Sequence, residues 1–465
     1  MSITSRLPRR VVLCVLTSIA LAACGGDGDS TNLPTIGGGG VSRSPSPSTG
    51  TDGGSCSVAN QKSFVRAHLN DVYLWYDEIP NVDPNSKPTA AQYFDSLLVK
   101  SKDRFSFTIP QADADALLLS GQNVSYGAEY KFDAQSRLRI AYSDAGSPAA
   151  QNGIDRGDEI VSINGTPVSA LNANQLNAGL FPSAAGASAT FGIRDLGQSS
   201  VRNVTLAATT VVKDPVPISN VFTAADGKKV GYLVFNDHLA TAEQPLYNVM
   251  SMFQAQGVQD LVLDVRYNGG GFIYIASELA YMIGGGSLNG RVFERLRFNN
   301  KHPEKNADVP FYNTSTTGLP LPQLGLSRVF VLTGSGTCSA SESIINGLSP
   351  FVQVITIGGA TCGKPYGFLQ KNNCGQAYFA IEFEGVNDIG AGGYVNGFAP
   401  TCASRDDFDR ALGDPTERLL AGALSYRING DCSGVPTGYA KALGASGEIP
   451  SPELARPHAG IRVLR

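Results

Sequence analysis

The apolar positions of this chain fall into two rhythms. Arg328-Val329-Phe330-Val331-Leu332 and Val352-Gln353-Val354-Ile355-Thr356-Ile357 are short apolar runs, which read as buried strands. Val230–Phe235 and Leu261–Val265 have the same character. Between them the spacing turns helical, over Ala242–Gln256 and again after the glycines at 269–271. Strand and helix patterns that alternate in this way predict an α/β core, with helices packed on a sheet. Nearer the start, Phe64, Val65, His68, Leu69, Val72, Tyr73, Trp75 and Tyr76 recur at about the helical period, so the stretch from Cys56 to about Thr108 is expected to be helical. A second helix is expected over Ala90–Lys100, beginning at Thr89, and Trp75 reads as a packing residue.

Two segments fall outside this scheme. Arg6, Arg9 and Arg10 precede an apolar run from Val11 to Ala23, an export-signal pattern too short to span a bilayer comfortably. The run ends in Leu21-Ala22-Ala23-Cys24-Gly25, which looks like a bacterial lipobox with Cys24 as the lipidated residue. Residues 25–55 are rich in Gly, Ser, Thr and Pro and read as a flexible tether. The expected location is therefore the bacterial cell envelope, lipid-anchored and facing the periplasm.

Composition narrows the chemistry. The 465 residues allow two or three domains, and 36 basic against 40 acidic residues give a net charge of −4. Loss of the basic leader would make the chain more acidic still, which argues against nucleic-acid binding. Besides Cys14 and Cys24 there are Cys56, Cys338, Cys362, Cys374, Cys402 and Cys432, an even set that suggests disulfides in an exported protein. The pairing expected is Cys374 with Cys402, Cys338 with Cys362 and Cys56 with Cys432. No Cys-x-x-Cys occurs and the four histidines are scattered, so neither a metal nor another cofactor is expected.

The strand ends at 332 and 357 carry the candidate chemistry. Ser339 lies in Gly336-Thr337-Cys338-Ser339-Ala340-Ser341-Glu342, and Lys364 lies in Thr361-Cys362-Gly363-Lys364-Pro365. Both leave neighbouring strands at one sheet edge, where a serine nucleophile and a lysine base could meet. A lysine can act as base only when neutral, and burial in an apolar pocket would lower its pKa toward that condition. None of the histidines fits the role; His238, at a strand end, reads as a satisfied loop residue.

These residues resemble the carboxy-terminal processing (tail-specific) serine proteases, which carry a Ser-Ala-Ser-Glu turn followed by Gly-Lys. The resemblance runs from about Lys102 to Arg427. It implies a crotonase- or Clp-protease-like α/β catalytic core with an inserted or preceding PDZ domain and an N-terminal helical cap. The boundaries expected are a signal at 1–23, a linker at 24–55, the cap at 56–114, the PDZ domain at 115–212, the core at 213–435 and a tail at 436–465. The PDZ reading rests on Gly146-Ser147-Pro148-Ala149-Ala150 and on Gly153-Ile154-Asp155-Arg156-Gly157-Asp158-Glu159-Ile160-Val161-Ser162-Ile163-Asn164-Gly165. Such a domain takes an extended peptide as an added strand, and by resemblance Tyr126, Gly127, Ala128 and Glu129 would hold its carboxylate.

By the same resemblance Ser339 and Lys364 form a catalytic dyad. The oxyanion donors would be the Ala340 amide and, from the run after Leu263-Asp264-Val265-Arg266-Tyr267-Asn268, the Gly270 amide. Glu342, Asp264 and Arg266 would support the dyad. One departure stands out: the family often has Gln four residues after the lysine, where this chain has Phe368, with Gln370 two positions on. Either Gln370 reaches back, or Lys364 is held differently. The activity expected is that of a serine endopeptidase acting on proteins with exposed C-termini; the alternative is a non-catalytic peptide- or ligand-binding lipoprotein on the same folds.

Overall fold

The computed structural model describes residues 55–437 and the backbone of Arg462–Val463. The expected signal, Cys24 and most of the linker lie outside the described residues. Among the described residues no helix is long and apolar enough to cross a membrane.

A six-stranded sheet forms the core. Its order is Ile218–Thr223, Lys229–Val234, Asp260–Asp264, Arg328–Thr333, Gln353–Gly358 and Cys402–Ala403; the first pair is antiparallel and all later pairs are parallel. The strands are apolar on both faces because both faces are covered. Val230, Tyr232, Val262, Phe330, Leu332, Ile355 and Ile357 point toward Leu419, Leu420 and Ala423 of the helix Arg418–Asn429. Alternate residues (Leu233, Leu261, Leu263, Val329 and Val331) join the larger cluster on the other side, with the helices Glu243–Gln256, Ile273–Gly284 and Ala340–Leu348.

The cap packs into that larger cluster. Its first helix, Val58–Val72, buries Val65, Leu69 and Val72 at the expected spacing and then stops. Tyr73 leaves the helix to donate its hydroxyl to the buried Asp103 at 2.8 Å. The second helix starts after Thr89, whose side chain caps Gln92, and ends at Leu97, short of the expected Lys100. Trp75 is partly buried between the rings of Tyr73 and Tyr366.

Within residues 122–212, Gln122–Ser125 and Thr209–Val212 pair as a two-stranded sheet, and the strands between them form a separate six-stranded antiparallel sheet with its own apolar cluster, including Tyr130, Ile140, Ile160, Phe191 and Ile193. Ala128–Phe132 is its edge strand. Asn164 and Gly165 both take positive φ, 50° and 78°, and turn the Glu159–Ile163 strand back onto Thr166–Pro167. At Gly127, with φ 77°, an added Cβ would come within 2.0 Å of Ser147 Cβ, so this glycine is demanded by packing as well as by its turn.

The disulfides correct the expected pairing at two places. Cys338–Cys362 forms as expected, but Cys56 pairs with Cys374 and Cys402 with Cys432. The first joins the start of the cap to the turn between Lys371–Asn373 and Gln376–Phe379, whose sheet the cap strand Phe107–Pro110 completes. The second joins the last core strand to the segment after the last helix. Pairing follows which loops the sheets bring together, a tertiary fact that spacing along the chain does not encode.

Candidate active site

Three loops meet at the carboxyl ends of the parallel strands. One runs from Arg266 to Gly271, the second from Gly334 to Ser341, and the third from Gly359 to Lys364. They are stitched together: Cys338 N–H and Ser341 Oγ–H both donate to Asn268 O, at 3.0 and 3.1 Å, and Cys362 N–H donates to Thr337 O at 2.9 Å. The Cys338–Cys362 disulfide locks the second loop to the third.

Ser339 stands at the junction between strand and helix, with φ 61° and ψ −116°. A side chain there is strained, by roughly 1–3 kcal/mol, and such strain concentrates at functional sites. The residue is fully buried and its Oγ has no hydrogen-bond partner among the described residues. Ala340 is the first residue of the helix, where backbone amides lack an intrahelical partner.

Lys364 is also fully buried. Its amine lies 3.6 Å from the centre of the Phe368 ring and 5.3 Å from that of Phe105. Burial holds its pKa well below the usual lysine value, while Asp103 and Glu342 pull it the other way.

Glu342 joins the two residues. Its Oε2 accepts the amides of Ser339 and Lys364, at 2.9 and 2.8 Å, and its Oε1 accepts the amide of Gly363 at 2.8 Å and the Thr361 hydroxyl at 2.6 Å. With one oxygen in common, the Ser339 and Lys364 nitrogens are no more than about 6 Å apart, two hydrogen-bond lengths. Burial raises the Glu342 pKa, and the four donors oppose that shift.

Four other expected residues take different places. Gly270 N–H donates to Asn268 Oδ1 at 2.9 Å, so in this conformation it is not a free oxyanion donor. Gln370 does not turn back toward Lys364; its amide donates to Asp115 and Asn372, at 2.9 and 3.0 Å. Phe368 fills the place beside the amine instead. Asp264 and Arg266 pair with each other, and Arg266 continues to Glu417 and Asp406 at 2.8 Å, away from the serine and lysine loops. That network holds the strand end on which Asn268 and the glycines ride.

His238 is buried beside the glycine loop. Its Nδ1 lies 3.0 Å from Asn268 Oδ1, an oxygen that already accepts from Gly270, so Nδ1 carries the proton. Burial lowers its pKa to about 3, which keeps the ring neutral. Sequence reasoning treated His238 as a loop residue, gave no role to Asn268 and Thr361 although both stand inside the quoted motifs, and missed Asp103 and Phe105, which stand in no motif with Lys364.

The PDZ residues are built around one turn. The carbonyls of Tyr126 and Gly127 accept the amides of Ala149 and Asp144, at 2.9 and 2.8 Å, and Ser147 Oγ donates to Gly127 O at 3.1 Å. Ala128 and Glu129 begin the edge strand. Arg156 leaves this domain for the core, donating to Tyr267 Oη at 2.7 Å, Asp406 Oδ1 at 2.9 Å and Asp407 O at 2.8 Å.

Comparison with known proteins assigns this architecture. Residues 229–371 match the model of peptidase family S41, residues 60–107 that of the peptidase S41 N-terminal domain, and residues 139–178 a PDZ domain. The strands and loops from residue 229 to residue 371 thus resemble peptidase family S41. A curated relative is the carboxyl-terminal-processing protease of a Picosynechococcus species, 27% identical over 50% of this chain and 52% of its own length. Another is the carboxy-terminal processing protease CtpA of Bacillus subtilis, 24% identical over 47% of this chain and 42% of its own. The matches thus span about half the length of these relatives or less. Among solved structures, one from Bacteroides fragilis assigned as an S41 protease superposes with a TM-score of 0.63 at 26% identity, covering 79% of this chain and 97% of that one. A core similar to peptidase family S41 is therefore accompanied by an N-terminal helical region and a PDZ match, an α/β organisation that agrees with the sequence expectation.

Proposed function

We propose that this chain is a serine endopeptidase in which Ser339 is the nucleophile and Lys364 the general base. The observation that carries this reading is the buried, unpartnered Ser339 Oγ on a strained backbone, tied through Glu342 to a fully buried lysine. A neutral Lys364 amine takes the Ser339 proton as Oγ attacks the peptide carbonyl. The oxyanion is met by the Ala340 amide and by an amide from Gly269–Gly271, with Gly270 serving once it turns away from Asn268. The C–N bond then breaks, and the Lys364 ammonium returns its proton to the leaving amine. Water, deprotonated by the same lysine, hydrolyses the acyl ester and frees Ser339.

In this reading the PDZ edge strand Ala128–Phe132 takes the C-terminal segment of a substrate protein as an added strand, with Tyr126–Glu129 at its carboxylate end. Lipidation at Cys24 would hold the enzyme in the bacterial cell envelope, facing the periplasm. Cleavage of an unfolded protein with an apolar tail tests the dyad, comparing wild type with Ser339→Ala and Lys364→Ala. Loss of cleavage in both variants is expected; equal cleavage by all three would overturn the assignment and leave a binding protein.

A further inference from the structure

A strand from far downstream lies at the mouth of this site. Gly271–Phe272, directly after the glycine loop, pairs in parallel with Arg462–Val463, in the register Gly271 to Arg462 and Phe272 to Val463. Its other side is already taken: His238 bridges Gly271, His238 N–H donates to Gly270 O at 3.0 Å and Phe272 N–H donates to His238 O at 2.8 Å. The Arg462–Val463 backbone therefore occupies the side of Gly271–Phe272 that this local fold leaves open. It also runs alongside Tyr366–Gly367, the short strand that begins two residues after Lys364.

The segment thus threads between the loop expected to supply an oxyanion donor and the strand that follows the base. A polypeptide chain presented for cleavage has to cross the same space, and main-chain pairing of this kind accepts almost any sequence. The covalent link makes binding of the occupant intramolecular, which raises its effective concentration. The residues between Thr437 and Arg462 are more than enough to span a molecule of this size at about 3.3 Å per residue.

We propose that the segment around Arg462–Val463 is an intramolecular occupant of the substrate strand position on Gly271–Phe272, and that an incoming polypeptide must displace it. The proposal rests on the reading of this cleft as the peptidase site, but its test does not need turnover. A fluorescent peptide of residues 456–465 is titrated into three proteins, all carrying Ser339→Ala: the full chain, a chain ending at residue 455, and the full chain with Arg462→Pro and Val463→Pro, which removes both amides from the ladder. Binding at least tenfold tighter to the shortened and the proline-bearing proteins than to the full chain is expected. Equal binding to all three, or no binding to any, would overturn the proposal, as would tighter occupancy that grows with protein concentration and so reports a second copy. Circular dichroism melts establish that each variant is folded, and the proline variant carries the test should the shortened chain not fold. In the proteins with an intact serine, the same two changes should raise kcat/KM several-fold. Peptide binding as expected with no cleavage by any form would sink the peptidase reading and leave the occupant in place.

Discussion

The Phe368 ring lies 3.6 Å from Lys364 Nζ, at the position four residues after the lysine. An aromatic face attracts the charged amine, yet the ring also excludes water, and burial dominates: the Lys364 pKa is held well below its usual value. Catalysis by an unprotonated amine requires pH above that lowered pKa, so kcat/KM should rise with pH through it. Phe368→Ala admits water and lets the pKa climb back, moving the acid limb to higher pH; activity falls at neutral pH and recovers in alkali. The variant should also lose about 3–5 kcal/mol of stability, so melts accompany the rate profile. An unmoved limb would mean that the ring has no part in tuning the base.

The backbone at Ser339 gives a prediction independent of chemistry. Ser339→Ala keeps a Cβ at φ 61°, whereas Ser339→Gly removes it. Both variants should be inactive, and the glycine variant should be the more stable by about 1 kcal/mol in urea unfolding, strain relief exceeding the added entropy of the unfolded chain. A less stable glycine variant would show that the turn is relaxed.

Glu342 stands three residues after Ser339 and accepts its amide, the return half of a capping box. Its wider task comes from folding, since Thr361, Gly363 and Lys364 arrive from the next strand. Glu342→Gln replaces one oxygen with a donor that faces two donors. Unsatisfied buried donors cost about 1–3 kcal/mol each, so a clear drop in melting temperature and at least a tenfold loss of kcat are expected. Wild-type kcat would remove Glu342 from the positioning of the dyad.

The contrast between these residues shows what the sequence could carry. The meeting of the Ser339 and Lys364 loops was legible because each follows an apolar strand run, and adjacent parallel strands bring such loop ends together. The PDZ turn at Asn164-Gly165 was legible for a similar reason, because two residues with positive φ leave few other conformations. Phe105 and Asp103 come from the cap, more than two hundred positions before the lysine they surround, and no periodicity marks an aromatic as the wall of a base. A glycine run reveals backbone freedom but not where each amide points; here the Asn268 side chain accepts the Gly270 amide, which the sequence did not reveal. Gln370 was misread because distance along the chain from Lys364 says nothing about Asp115, its partner from the cap side.

Arg156 connects the PDZ domain to the loop that precedes the glycines. One guanidinium nitrogen donates to Tyr267 Oη and to Ala141 O, the other to Asp406 and Asp407 O. Asp406 also accepts from Arg266, and these cations hold its pKa well below the usual range. Arg156→Ala breaks the bridge and leaves Arg266 and the Tyr267 hydroxyl to hold Asp406. Protein substrates that dock through the PDZ domain should then lose at least tenfold in kcat/KM, while a short peptide lacking a docking tail loses little. Equal losses for both substrates would assign Arg156 to stability of the core alone.

Cys338 and Cys362 stand beside the proposed dyad, one residue before Ser339 and two before Lys364, and their sulfurs are joined. The bond holds two loops that otherwise meet through Glu342 and a few backbone contacts, and it closes a segment with a sequence separation of 24 residues. On chain-entropy grounds such a closure stabilises by roughly 3 kcal/mol. Cys338→Ser with Cys362→Ser should lower the unfolding free energy by about that amount and reduce kcat, because small displacements of either loop separate base from nucleophile. Mild reduction of the wild type should reproduce the loss and reoxidation should restore it, while the double serine variant stays indifferent to both treatments. Turnover that survives reduction unchanged would show that hydrogen bonding through Glu342 alone sets the geometry of the site.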